Sequence, residues 1–286
     1  MRIAIASGKG GTGKTTVAVN LAAYLDSQDI DTGFIDCDVE EPNAHFFLKP
    51  ELGPAKEETL PVPEIITDKC LGESCKKCIE QCRFKSLIWM VSEVLVFAEL
   101  CHGCGLCELA CPADAITEGK RVVGTTSTGK AGDINFATAL LKIGEAMSPP
   151  LIKAVKKADS KSEVVITDCP PGTSCPVIEA IEGSDFVVLV TEPTPFGLHD
   201  LDLAVQLLKI LKYKFGVVIN RSGMGDNSVE EYLNKNNIPL LGSLPHSRDA
   251  ASTYSSGDLL WDKIPGFKQE YEKIWNSIIK LTSGAA

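Results

Sequence analysis

Short apolar runs and stretches of helical period alternate along most of the chain. Residues 2–7 (Arg-Ile-Ala-Ile-Ala-Ser) form a run too short for a helix and predict a buried strand, whereas Val17, Leu21, Ala22, Tyr24 and Leu25 recur at helical spacing over 15–28. A second apolar run, 32–36, ends on acidic residues. The alternation resumes with 164–167 before Asp168, then 186–190 and 215–220. Near-continuous apolar strands joined by helices predict an α/β fold, a mostly parallel sheet covered by helices on both faces.

Between 36 and a helix beginning near Pro149 the pattern breaks for roughly a hundred residues, too long for a simple strand-to-helix connection. The Pro-rich segment 60–63 leads into a block of cysteines that ends near Gly119. The break therefore predicts a discontinuous larger domain, 1–62 and 120–286, with a module inserted at 63–119 whose two ends lie close together. Residues 121–141 read as a β-rich or irregular return. Within it, 124–131 (Gly-Thr-Thr-Ser-Thr-Gly-Lys-Ala) nearly has the spacing of a phosphate loop, but Ala131 replaces the hydroxyl and no helix follows, which predicts a flexible surface hairpin or loop. Near the C-terminus Ile264, Phe267, Tyr271, Ile274, Trp275, Ile278 and Leu281 share one helical stripe. The opposite face mixes Glu270 and Glu272 with Lys268, Lys273 and Lys280, as expected of a helix packed on the core rather than a membrane-binding tail.

A net charge of −10 over 286 residues argues against broad attachment to nucleic acid, which needs clustered Lys and Arg, and favours basic partner proteins. With no secretory pattern and no apolar window of the ~18 residues needed for a membrane span, the expected location is the cytoplasm. Eleven cysteines in such a chain point to metal or redox use rather than disulfides. Eight of them fall in two runs. Cys101-x2-Cys104-x2-Cys107-x3-Cys111-Pro112 is the ligand spacing of a [4Fe–4S] ferredoxin. Cys70-x4-Cys75-x2-Cys78-x3-Cys82 departs from it by two residues and has Arg83 where proline is usual, so a four-cysteine zinc ribbon stays open as the alternative. Cys37 and Cys169 read as small buried residues. His45, His102, His199 and His246 share no metal spacing and are assigned no catalysis.

The glycine stretch 8–16 (Gly-Lys-Gly-Gly-Thr-Gly-Lys-Thr-Thr), between a strand and a helix, is a phosphate-binding loop. Its backbone N–H groups and the helix N-terminus face phosphate oxygens, Lys14 neutralises the outer phosphates, and the Thr15 hydroxyl ligates Mg²⁺. The loop resembles the deviant phosphate loop of the MinD/Mrp/ParA group of P-loop ATPases (the SIMIBI-type fold), a group that also includes the nitrogenase iron protein. The resemblance implies ATP contacts from Gly10, Gly11, Thr12, Gly13, Lys14, Thr15 and Thr16. It further implies that Lys9 reaches the partner's nucleotide in an ATP-sandwiched homodimer. Asp36 and Asp38 resemble the first switch, with Asp38 acting on the attacking water and Asp36 supporting the Mg²⁺ shell. Asp168, in Asp-Cys-Pro-Pro-Gly-Thr, resembles the Mg²⁺-holding second switch. Asn220 and Arg221 resemble the adenine-recognition position, and Pro245 the segment closing over the base.

The cysteine block is similar to two-cluster ferredoxins, which implies one [4Fe–4S] cluster on Cys70, Cys75, Cys78 and Cys111 and another on Cys101, Cys104, Cys107 and Cys82. Cys175 follows Asp168 by seven residues, as does a cluster ligand in the nitrogenase iron protein, but no second ligand per subunit accompanies it. Together these features look like a MinD-superfamily ATPase with an inserted ferredoxin domain. Such a protein is expected to hydrolyse ATP to ADP and phosphate and to work with a redox or iron–sulfur partner protein. Three uses are open: ATP-gated electron transfer, which complete four-cysteine ligation favours; assembly or delivery of clusters; and positioning of a cellular cargo.

Overall fold

The computed structural model describes residues 1–158 and 161–284. Strand β1 (Arg2–Ala6) runs through the glycine loop into α1 (Lys14–Asp26), and β2 (Thr32–Asp36) follows. Every residue of β2 is buried. Burial on both faces, not alternation, is what selects strand there. After the single turn α2 (His45–Leu48) and the short β3 (Glu51–Leu52), the long β4 (Lys56–Ile65) carries the chain outward. It accommodates Pro61 and Pro63 because it is bonded on one side only.

The cysteine segment folds as two matched halves. A turn of 3₁₀ helix at Thr67–Lys69 precedes Cys70, as one at Ala98–Leu100 precedes Cys101. A left-handed residue, Lys76 (φ 49°), opens α3 (Lys77–Gln81), which carries Cys78 and ends at Cys82. The hairpin β5 (Leu87–Met90) and β6 (Glu93–Val96) follows. Left-handed Gly105 (φ 71°) then opens α4 (Leu106–Leu109), which carries Cys107. The wider spacing of the first run is absorbed by an extra 3₁₀ turn, Gly72–Ser74.

Strand β7 (Ile116–Ala131) returns antiparallel to β4, paired from Ile65↔Ile116 to Lys56↔Thr126, and its inner half pairs with β8 (Ile134–Leu141). The stretch 124–131 is thus a sheet strand, not the expected flexible hairpin. A Cβ on Gly124 would lie 2.5 Å from the Leu140 carbonyl oxygen, and one on Gly129 2.0 Å from that of Glu51. Those glycines mark close approach of neighbouring strands, which imitates a loop composition.

The rest alternates regularly: α5 (Pro149–Val155), β9 (Val164–Asp168), α6 (Cys175–Ile181), β10 (Phe186–Thr191), α7 (Pro195–Leu211), β11 (Phe215–Ser222), α8 (Ser228–Lys235), β12 (Leu240–Pro245), α9 (Arg248–Ser255) and α10 (Phe267–Thr282). The Thr194 hydroxyl caps α7 by accepting from the Gly197 N–H at 3.0 Å. Strand order is β12-β11-β10-β1-β9-β2-β8-β7-β3, parallel from β12 to β8 and antiparallel beyond, the α/β architecture expected. One core lies between the sheet and α1 with α10, the other between the sheet and α5, α6 and α7. Phe267, Tyr271, Ile274 and Ile278 of α10 are buried, as the stripe predicts. Among the described residues no helix is long and apolar enough to cross a membrane.

Candidate functional site

The carboxyl ends of β1, β2, β9 and β11 converge on a cavity of about 540 Å³. Gly11 and Gly13 take positive φ (79° and 88°), and Gly13 serves as N-cap of α1, so the loop wraps toward the helix N-terminus. A Cβ on Gly13 would meet the Asn220 amide nitrogen at 2.1 Å. Lys9, Gly10, Gly11, Gly13, Lys14, Thr15, Thr16, Asp38, Asn220, Arg221 and Pro245 line the cavity. Thr12, Asp36 and Asp168 are not on that lining; all three are buried. The Thr12 carbonyl accepts from Asn220 Nδ2 at 2.8 Å, which joins the phosphate loop to the β11 end.

Two carboxylates engage one ammonium. Lys14 Nζ lies 2.8 Å from Asp168 Oδ1 and 3.6 Å from Asp38 Oδ2. Burial works against the Lys14 charge, but Asp168 and Asp38 outweigh it and its pKa is raised. Asp36 is fully enclosed and accepts from the backbone N–H groups of Asp38 and Ala44, both at 3.1 Å, so its carboxyl orders the switch loop rather than facing the cavity. Burial and the neighbouring Asp168 push Asp36 up to about 8. Asp38 is pushed up to about 6, chiefly by burial, with Lys14 pulling it down and Asp168 up. Asp168 Oδ2 is buried without a hydrogen-bond partner. An orphaned carboxylate oxygen beside a phosphate loop, with Thr15 on the lining, fits a Mg²⁺–nucleotide.

Two features here carry no local sequence signal. Glu192, just past β10, holds Lys9 (Nζ to Oε1, 2.5 Å) and Arg221 (Nη1 to Oε2, 3.1 Å) together across the cavity mouth. Asn20 on α1 accepts from the N–H groups of Leu260 (2.6 Å) and Trp261 (2.9 Å) and donates to the Thr16 carbonyl at 2.8 Å. It thereby fixes the apolar wall on which Leu260, Tyr254 and Phe267 face the cavity.

A second pocket lies in the cysteine segment, lined by Cys70, Cys75, Cys78 and Cys111 among aliphatic residues such as Ile65, Val94 and Ile116. Cys111 of the second run thus joins three thiols of the first. Cys107 is close to Cys101 and Cys104; burial and these two neighbours push its thiol up. Cys82 has Ser86 Oγ 3.3 Å from its sulfur. Backbone N–H groups of Gly103 and Ala115 donate to Cys101 Sγ (3.4 Å) and Cys111 Sγ (3.3 Å), the kind of bond that stabilises cluster thiolates. Among the described residues no three His, Cys, Asp or Glu side chains converge tightly enough for a single ion. Four thiols gathered around one apolar pocket, with a backbone N–H on the Cys111 sulfur, are a donor set that fits an iron–sulfur cluster. Cys37 and Cys169 are fully buried, while Cys175 is exposed at the start of α6, away from either set in sequence.

The model of the CobQ/CobB/MinD/ParA nucleotide binding domain family matches residues 3–260. The chain belongs to this family. An uncharacterised protein of Methanocaldococcus jannaschii is 32% identical over 284 residues, 96% of this chain and 96% of that one. An iron–sulfur cluster carrier protein of Pyrococcus horikoshii is 24% identical over 310 residues, covering 98% of this chain and 87% of the relative. The septum site-determining protein MinD of Pyrococcus horikoshii, solved with Mg-ADP, superposes with a TM-score of 0.60 at 19% identity, covering 99% of this chain and 97% of that one, and shares the fold. The chain is thus of the MinD/ParA type, a family of nucleotide-binding domains.

Proposed function

We propose that the chain is an iron–sulfur ATPase that hydrolyses ATP in a nucleotide-sandwiched homodimer and couples nucleotide state to two [4Fe–4S] clusters, its most direct use being ATP-gated electron transfer to a basic partner protein in the cytoplasm. The observation that carries this reading is the set of four thiols, Cys70, Cys75, Cys78 and Cys111, around one otherwise apolar pocket. That pocket sits at the far end of the β4–β7 ribbon, whose near end is part of the nucleotide-binding sheet. In this reading the ATPase comprises 1–62 and 120–286, and the module 63–119.

Lys14 is engaged by Asp168 and Asp38. ATP phosphates at the α1 N-terminus would compete for that ammonium and leave Asp38 to orient or deprotonate the attacking water, and Asp168 and Thr15 are the residues that would hold Mg²⁺. Lys9 has to leave Glu192 before it can reach a partner's nucleotide. Bound clusters would supply one-electron chemistry; the chain's part is to hold them on cysteines and to shield one set with aliphatic side chains.

A second reading, delivery of clusters to apo-proteins, is favoured by the Pyrococcus horikoshii relative, which is named an iron–sulfur cluster carrier protein. One experiment separates the two. Anaerobically reconstituted protein is offered a redox acceptor and an apo-acceptor, with and without ATP. ATP-dependent reduction without iron loss supports electron transfer, and ATP-dependent loss of iron to the apo-acceptor supports delivery. ATP-independent behaviour toward both acceptors refutes nucleotide coupling.

A further inference from the structure

The cysteine segment is tied to the ATP site by more than its two chain connections. Arg121 stands on β7 opposite Leu60 of β4, its side chain 10% exposed. Its Nη2 donates to the carbonyl oxygen of Cys101 at 3.3 Å, and its Nη1 pairs with Glu145 Oε2, a side chain only 3% exposed. Glu145 Oε1 in turn accepts from the Met147 N–H at 2.9 Å. One guanidinium therefore links the first ligand of the second cysteine run to the segment 142–148.

That segment hangs between the two switches. At its start the Leu141 N–H donates to the carbonyl of Val39, the residue after Asp38, at 2.8 Å. At its end Ser148 opens α5, which packs on α6, the helix that follows Asp168 and the Pro-Pro-Gly turn. The Cys101 loop is seated closely at the other end, because a Cβ on Gly103 would come within 3.0 Å of the Pro61 carbonyl oxygen.

A buried ion pair returns little net stability, since desolvation offsets its Coulomb attraction and an apolar pair of similar volume does as well. Here the Arg121 Nε is left without a partner, which makes a purely stabilising role weaker still. What such a pair does supply is a discrete geometry that is either made or broken. We infer that Arg121 and Glu145 are positioning residues that transmit displacement of the switch-linked segment 142–148 to the Cys101 loop and thus to the second cysteine set. Because the Gly103 N–H donates to Cys101 Sγ, a shift of this loop alters a hydrogen bond to a ligand sulfur, one of the determinants of cluster potential.

The inference rests on the proposed coupling of ATP to the clusters, and the test separates the two. Cluster-loaded full-length protein carrying Asp38→Ala, to slow hydrolysis, is compared in ATP and in ADP by hydrogen exchange over 98–107. With Arg121 and Glu145 in place, exchange is expected to differ about fivefold or more between the two nucleotides. Arg121→Gln and Glu145→Gln should each bring that ratio close to one while iron content and ATP affinity stay unchanged, and Arg121→Lys should recover part of it. Glu145→Gln keeps the shape and the bond to Met147, so it decides the matter alone if Arg121→Gln fails to fold. Variants that keep the full ratio overturn the strut and leave coupling standing. Equal exchange in both nucleotides with the native pair overturns the coupling itself, and the strut falls with it.

Discussion

Lys14→Met removes the cation that Asp168 and Asp38 share. The ammonium lies 2.8 Å from Asp168 and 3.6 Å from Asp38, and the Lys14 and Asp168 side chains are 7% and 1% exposed. Deleting one member of a buried pair costs about 3–5 kcal/mol, and methionine keeps the aliphatic bulk, so little of that is cavity formation. The loss should depend on pH. In the native chain Asp36 is raised to about 8 and Asp38 to about 6. The folded state therefore holds protons that the unfolded chain has released, and stability declines as pH rises from about 4 through 6 to 8. Removing Lys14 takes away a charge that lowers both, so the variant's deficit should be larger near pH ~8.5 than near pH ~5.5, where protonation relieves the repulsion. Urea unfolding of nucleotide-free protein at the two pH values measures this, and Lys14→Met with Asp168→Asn should regain much of the loss, because groups in contact are not additive. A deficit below about 1 kcal/mol, or one equal at both pH values, would refute the electrostatic account. Nucleotide binding should be abolished in either case.

Anaerobically prepared protein should contain about eight iron and eight sulfide per chain by chemical analysis, and Cys104→Ser should lose one cluster while still binding nucleotide. Stoichiometric zinc instead would reject the assignment. Asp38→Ala should bind ATP, turn it over poorly and accumulate as a dimer in size-exclusion chromatography. In the native enzyme kcat/KM should fall about tenfold per pH unit below about 6, where Asp38 becomes protonated; a flat profile from about 5 to 7 would remove Asp38 as the ionised group. Asn20→Leu should cost about 2–5 kcal/mol in urea unfolding by stranding the N–H groups of Leu260 and Trp261, and should weaken nucleotide binding through the displaced wall.

The parallel sheet could be read from the chain because its strands are apolar on both faces, and the phosphate loop because close approach of backbone to phosphate demands glycines followed by lysine and a hydroxyl. Residues 124–131 misled for a related reason. Glycines forced by tight strand packing resemble glycines forced by a turn, and only the positions of Leu140 and Glu51 tell them apart. Glu192 and Asn20 were illegible because each acts across a long stretch of sequence, on Lys9 and on Leu260, and a lone Glu or Asn has no period or spacing to betray it. Arg121 was hidden likewise, since its meaning comes from Glu145 and the Cys101 carbonyl.

Ile65 and Ile116 are direct cross-strand partners, and the Ile66 N–H bonds the Ala115 carbonyl at 2.8 Å. The chain enters and leaves the cysteine segment at this last rung of the ladder, whatever side-chain contacts the segment then makes along the ribbon. A chain cut there and closed by a two-residue β-turn would keep every other rung of β4 and β7, so about fifty residues of the cysteine segment occupy the place of a hairpin tip. Insertion or loss of the cysteine segment thus requires no rearrangement of the sheet. Relatives with and without it can differ by one event at one turn, and grafting the segment onto a plain ribbon of another ATPase becomes a well-defined construction.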